Sequence, residues 1–294
     1  MNEPIIEIKN LVREFGNKRA LDNVSMTIQS GTVMGLVGEN GAGKTTLIKH
    51  VLGLLKAQQG TVSVFGMDPV SNPEAVLSKI GYLSEEGDLP TWMKVHELMR
   101  YSAAFYPTWD DQYAMKLLDE FKLDPGAKLS KMSKGQRSRA GLLVAMAYRP
   151  QLLVLDEPSS GLDPIVRKDI LGAIIRTIAD DGRTVLFSSH LLSEVERVAD
   201  QISMVKNGKI LISDDLDSVK ESHYRATLLF AEPLSQHPEL AGSLTWAGSG
   251  KEWHLTFCGN PNDLDEAASK WKAQIVERAG LSLEEIFVAQ VGAA

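Results

Sequence analysis

The stretch Gly38-Glu39-Asn40-Gly41-Ala42-Gly43-Lys44-Thr45-Thr46 follows the apolar run Val33-Met34-Gly35-Leu36-Val37 and precedes the helix-like Leu47-Ile48-Lys49-His50-Val51-Leu52. It matches G-x-x-x-x-G-K-[ST] in full, between a strand and a helix, the context in which that spelling makes a phosphate loop. A backbone that wraps a polyphosphate must turn tightly enough to aim several N–H groups inward, and Gly38, Gly41 and Gly43 permit the turn. Lys44 then reaches the β- and γ-phosphates, Thr45 offers its hydroxyl to Mg²⁺, and Thr46 adds a phosphate contact. Asn40 and Ala42 complete the loop, and the following helix points its positive end at the anion. The stretch predicts a nucleoside triphosphate site.

Outward from the loop, β-like runs alternate with helical patterns. Ile5–Lys9, Val24–Ile28, Val33–Val37, Leu152–Leu155, Thr184–Ser188 and Ile202–Lys206 read as strands. The alternation predicts an α/β domain over residues 1–213 with a largely parallel central sheet, which puts the phosphate loop at the carboxyl end of a strand. Between about 86 and 140 the strand signal vanishes and apolar residues recur at helical spacing, as in Val95-x-x-Leu98-Met99, so a helical insertion is expected there. Asp214-Asp215-Leu216-Asp217-Ser218 reads as a linker. Residues 219–294 then form a small α+β domain, with strands at Ala226–Phe230 and Trp253–Phe257 and helices at Asp263–Trp271 and Leu281–Val288.

Composition limits the classes. With 294 residues, 44% apolar and 23% charged, the chain is globular, and a net charge of −7 argues against a nucleic-acid partner. A single cysteine, Cys258, precludes an internal disulfide framework. The opening Pro4-Ile5-Ile6-Glu7-Ile8-Lys9 alternates like a strand rather than an export signal, and no stretch approaches the ~20 apolar residues a bilayer span needs. A membrane role is therefore expected to come from a partner.

The chemistry continues at Leu152-Leu153-Val154-Leu155, an apolar strand that delivers Asp156-Glu157 to the sheet edge holding the phosphate loop. Asp156 is expected to hold Mg²⁺ through its water shell, and Glu157 to activate the attacking water. Three further elements stand around them: Lys131-Met132-Ser133-Lys134-Gly135-Gln136-Arg137, Ser160-Gly161-Leu162-Asp163, and Ser188-Ser189-His190. Taken alone, the first is an ordinary helix start, and His190 is a capping or surface histidine.

Together and in this order, the five elements resemble the ATP-binding cassette (ABC) family over residues 5 to about 212. The resemblance implies a P-loop NTPase of the ABC type, a layered α/β core with a helical subdomain, in which two cassettes pack head to tail. Ser133, Gly135 and Gln136 of one copy would close the ATP site of the other, Asp163 would lie at the seam, and His190 would contact the γ-phosphate and orient water with Glu157. Phe15, in Phe15-Gly16-x-x-x-Ala20-Leu21, falls where the family stacks an aromatic ring on adenine. The chain departs from the family at Gly81-Tyr82-Leu83-Ser84-Glu85, where Glu85 replaces a glutamine that touches Mg²⁺ and the water, and in the signature, where Met132 and Lys134 replace leucine and glycine.

The aromatic run Phe105-Tyr106-Pro107-Thr108-Trp109 is either core or an anchor for the cytoplasmic helix of a membrane subunit. Lys128, Lys131, Lys134, Arg137 and Arg139 either raise the potential at a phosphate site or bind nucleic acid. The layout resembles the ATPases of bacterial ABC-2-type exporters, peripheral on the cytoplasmic face of the membrane, with ATP and Mg²⁺ as cofactors. The expected partners are a separate ABC transmembrane subunit and a second ATPase chain. Importer ATPases, and cassettes that act on ribosomes or DNA, are the competing readings.

Overall fold

The computed structural model describes residues 3–87 and 89–293. The chain divides into two compact units, Met1–Ser213 and Asp214–Ala294.

The first unit is built on two sheets. One is antiparallel, in the order β2 (Lys18–Ile28), β1 (Ile6–Phe15), β4 (Gln59–Val64). The other runs β5 (Ile80–Leu83), β6 (Leu152–Leu155), β7 (Thr184–Ser189), β3 (Val33–Val37), β8 (Gln201–Lys206), β9 (Lys209–Asp215). Its pairs from β5 through β8 are parallel, as expected, and β3, β6 and β7 are buried along their whole length. Burial on both faces explains why these strands read as unbroken apolar runs. β9 lies beside β8 through Asn207-Gly208, whose φ values of 48° and 77° suit a two-residue hairpin turn.

Helix α1 (Lys44–Val51) follows β3, and its Leu47 and Ile48 join Ile6 and Ile8 of β1, Leu36 of β3 and Val154 of β6 in one core. The short α2 (Pro73–Leu77) precedes β5. Helices α3 (Val95–Ala103), α4 (Asp111–Glu120) and α5 (Lys134–Ala147) follow β5 and precede β6. Apolar Val95, Leu98, Leu117 and Leu118 are buried there, in keeping with their helical spacing. α6 (Pro164–Asp181) and α7 (Leu192–Val198) lead into and out of β7.

The aromatic run divides. Tyr106 stacks on Tyr148 with centroids 3.6 Å apart and rings 7° from parallel, whereas Phe105 is 63% exposed and meets Tyr101 edge-on.

The second unit opens with α8 (Leu216–Ser222), which corrects the linker expectation. Leu216 and Val219, three residues apart, share a face of this helix and are buried. A three-stranded antiparallel sheet follows, β11 (Ser243–Cys258), β10 (His223–Leu234), β12 (Ala273–Gly280). Leu228, Leu255 and Phe257 pack with Leu264 and Ala268 of α9 (Pro261–Trp271). Arg225 of β10 pairs with Glu285 of α10 (Leu283–Ala293) at 3.0 Å. Strands β4, β5, β9 and β12 carry no alternation clear enough to be read from sequence.

Candidate active site

The site forms where β3, β6 and β7 end side by side. After β3 the chain turns through the phosphate loop, where Gly43 has φ 117° and a Cβ would stand 2.6 Å from the backbone oxygen of Ala20. Only glycine satisfies both constraints. The Gly208 N–H fixes the loop by donating to the Ala42 carbonyl at 2.9 Å.

Lys44 opens α1 and is 5% exposed. Its Nζ donates to the carbonyls of Gly38 (2.7 Å) and Glu39 (3.2 Å) and stands 3.0 Å from Glu157 Oε1. The other Glu157 oxygen, Oε2, lies 2.7 Å from His190 Nδ1 and accepts from the His190 backbone N–H at 3.4 Å. Glu157 has φ 47°, a left-handed conformation uncommon outside glycine and held here by its surroundings. Its own N–H donates to Ser188 Oγ at 2.9 Å, and Ser188 donates to Asp156 Oδ1 at 2.7 Å.

Asp156 is buried and also bonded by the Thr45 side chain. Burial pushes its carboxyl above the ordinary carboxylate range. The hydrogen bonds from Ser188 and Thr45 oppose that shift, while the charges of Glu157 and Glu85 add to it. Glu85 accepts a hydrogen bond from Ser160 Oγ at 3.2 Å.

A cleft of about 420 Å³ opens over these groups, lined by Phe15, Asn40, Lys44, Thr45, Thr46 and Glu85 among others. Phe15 is 47% exposed, with the Arg13 guanidinium 4.6 Å from its ring centre. The structure therefore gathers Phe15, the phosphate loop, Glu85, Asp156, Glu157 and His190 at one place.

Ser133, Gly135, Gln136 and Asp163 are not among the residues lining this cleft. Ser133 caps α5 in a reciprocal box with Gln136, by bonds of 2.9 and 3.2 Å. At Gly135 a Cβ would stand 2.8 Å from Val166 Cγ2, so glycine is what lets α5 approach α6 there. Asp163 Oδ1 accepts from the N–H groups of Ile165 and Val166 at the start of α6.

Sequence reasoning missed two features. Ser188 bridges Asp156 and Glu157 because the parallel register sets Leu155 opposite Phe187 and thus brings the two strand exits together. Lys18 and Ala20 also line the cleft. The signal for both lies in strand order, which no local pattern spells out.

The family described as ABC transporter matches residues 21–160. The ABC transporter ATP-binding protein YdbJ of Bacillus subtilis (strain 168) is 32% identical over 230 residues, covering 78% of this chain and 75% of YdbJ. The bacitracin transport ATP-binding protein BcrA of Bacillus licheniformis is 31% identical over 219 residues, covering 74% and 72%. A solved ATP-binding subunit of an ABC transporter superposes with a TM-score of 0.67 at 28% identity, covering 74% of this chain and 92% of that one. The expected P-loop NTPase fold of the ABC type is therefore the observed one, and the chain belongs to the ABC transporter family as one of its ATP-binding ATPase proteins.

Proposed function

We propose that this chain is the ATP-hydrolysing subunit of an exporter whose membrane-spanning part is a separate polypeptide. The observation that carries the catalytic part is Glu157 lying between Lys44 and His190 in the nucleotide cleft. Lys44 passes from Glu157 to the γ-phosphate when ATP enters, because a polyphosphate brings more negative charge than one carboxylate. Glu157 then accepts the proton of the attacking water, and His190 holds that carboxylate in place and faces the departing phosphate.

The residues present fit Mg²⁺. The buried Asp156 carboxylate is bonded by the Thr45 hydroxyl and lies near Glu85, and hydroxyl and carboxylate oxygens are the donors a hard cation takes. Thr45, Asp156 and Glu85 would hold the ion, which supplies neutralisation of charge on the phosphates.

Ser133, Gly135, Gln136 and Asp163 lie outside their own chain's cleft, and this supports a role for them against the nucleotide of a second copy. The Ser133 hydroxyl and the start of α5 would then offer a hydrogen bond and a positive dipole end to the γ-phosphate.

A largely apolar groove of about 390 Å³, lined by Leu54, Tyr82, Leu89, Tyr106, Val144 and Tyr148 among others, suits a cytoplasmic helix of the membrane subunit. Among the described residues no helix is long and apolar enough to cross a membrane, so the pathway would belong to that partner. Docking there would place the chain on the cytoplasmic face. The similarity to a protein named for bacitracin transport favours export.

The test is affinity purification of the Glu157→Gln chain with ATP from its native host. Recovery of a multi-span membrane protein in stoichiometric amount supports the reading. Recovery of ribosomes or DNA with no membrane protein sinks it.

A further inference from the structure

Glu194 is a carboxylate only 4% exposed that takes no part in the chemistry above. It lies on α7, and three side chains converge on it. Ser159 Oγ donates to Oε2 at 2.6 Å, and Ser189 Oγ donates to the same oxygen at 3.3 Å. Arg167 Nε stands 3.0 Å from Oε1, an ionic contact without hydrogen-bond alignment. Buried charge persists in a fold when it is paired and hydrogen-bonded, and Glu194 is both.

The partners share a position in the fold. Ser159 follows Glu157 by two residues on the exit from β6, and Ser189 immediately precedes His190 on the exit from β7. Arg167 lies on the first turns of α6, and its Nη2 reaches the carbonyl of Leu162, the residue before Asp163, at 3.5 Å. One carboxylate therefore ties together the two loops that carry Glu157 and His190, and an arginine links it to the turn that carries Asp163. Glu157 also holds a left-handed backbone angle, which persists only where neighbouring contacts enforce it.

We propose that Glu194 is a positioning residue that sets the 2.7 Å contact between Glu157 and His190 by clamping the loops on which they stand. Through Arg167 the clamp also registers that pair to the Leu162-Asp163 turn. The proposal rests on the reading of Glu157 and His190 as the hydrolytic pair. A small displacement of a reacting group costs rate steeply while leaving phosphate-loop binding intact.

The test compares the full-length wild type, Glu194→Gln, and the double variant Ser159→Ala/Ser189→Ala for single-turnover rate, ATP affinity and kcat against KM. Each is also placed in the Glu157→Gln background. Glu194→Gln is expected to lower the rate roughly 10- to 100-fold. ATP affinity should stay within about 2-fold, the split that marks an interaction felt in the transition state. The serine double variant should reproduce the loss, and in the Glu157→Gln background Glu194→Gln should add nothing, since the group being positioned is gone.

A wild-type rate in Glu194→Gln overturns the clamp. So does a loss shared equally by rate and affinity that persists in the Glu157→Gln background, which marks a general structural role. If Glu194→Gln fails to fold, a wild-type rate in the serine double variant overturns the clamp. Wild-type turnover in Glu157→Gln alone defeats the underlying reading of the base instead.

Discussion

Lys44 and Glu157 form a buried ion pair, Nζ to Oε1 3.0 Å, at the floor of the nucleotide cleft. The pair joins the phosphate loop to the exit of β6 and leaves the other oxygen of Glu157 to His190. On the proposed reading, the cation that would bind phosphate also restrains the carboxylate that would act as base.

Replacing Glu157 with Gln removes the proton acceptor and releases Lys44 to the phosphates. Turnover should fall by at least about 100-fold, the scale of a lost general base. ATP affinity should hold or rise. Phosphate release and equilibrium nucleotide titration check the two halves separately, and wild-type turnover would remove Glu157 from the base role. Lys44→Ala, by contrast, should lose binding itself.

Glu85 stands within electrostatic reach of Asp156 and holds Ser160 at 3.2 Å. Burial is the main reason the Asp156 carboxyl is raised, and the Glu85 charge adds to it. Glu85→Gln keeps an acceptor for Ser160 and removes one negative charge beside the polyphosphate. ATPase activity should be retained or increased. A collapse to background would show that the carboxylate itself is required.

Lys18 lines the cleft, and its Nζ is 4.0 Å from where a Cβ on Gly41 would stand, so its ammonium lies beside the phosphate loop. It is exposed, so its contribution is screened by salt. Lys18→Ala should weaken ATP binding about 2- to 5-fold at low ionic strength and less at high, in line with one exposed charge pair. Titration at two salt concentrations decides the point, and unchanged affinity at both would exclude a phosphate contact.

Much of this was legible in sequence because the decisive signals are local. The β3 run, the glycine loop and Leu47-Ile48 occupy contiguous residues, and Leu152–Leu155 announces a buried strand that ends in two carboxylates. What stayed hidden depends on strand order. Ser188 becomes the bridge between Asp156 and Glu157 only because β7 lies beside β6, and Lys18 enters the cleft only because β2 starts near the phosphate loop. α8 escapes a sequence reading for a different reason, since about two helical turns with two buried residues cannot outweigh three acidic neighbours. Glu194 gains its setting only in the fold, because its three partners come from three separate segments.

Acid should destabilise the chain through two histidines before the carboxyls that are held below their ordinary range respond. Burial lowers both His50 and His223 below the ordinary value of 6.5. His223 shows why the neutral ring is favoured: Nδ1 lies 2.7 Å from the Val219 carbonyl, while Nε2 lies 2.9 Å from the Gln290 amide nitrogen, a donor that only an unprotonated Nε2 can accept. A group with a depressed folded value contributes stability that is complete above the unfolded value and lost as pH falls through the folded one. Urea unfolding midpoints should therefore be flat above about pH 7 and drop as pH falls below about 6.5. Asp68, Asp110, Glu97 and Glu285 have carboxyls held below their ordinary range, so their loss belongs to a lower and separate window. In the second unit the fall should be accompanied by loss of the contact between His223 of β10 and Gln290 of α10, read as faster amide exchange at residues 283–290. A midpoint that stays level down to about pH 5 would mean that both rings accept protons in place.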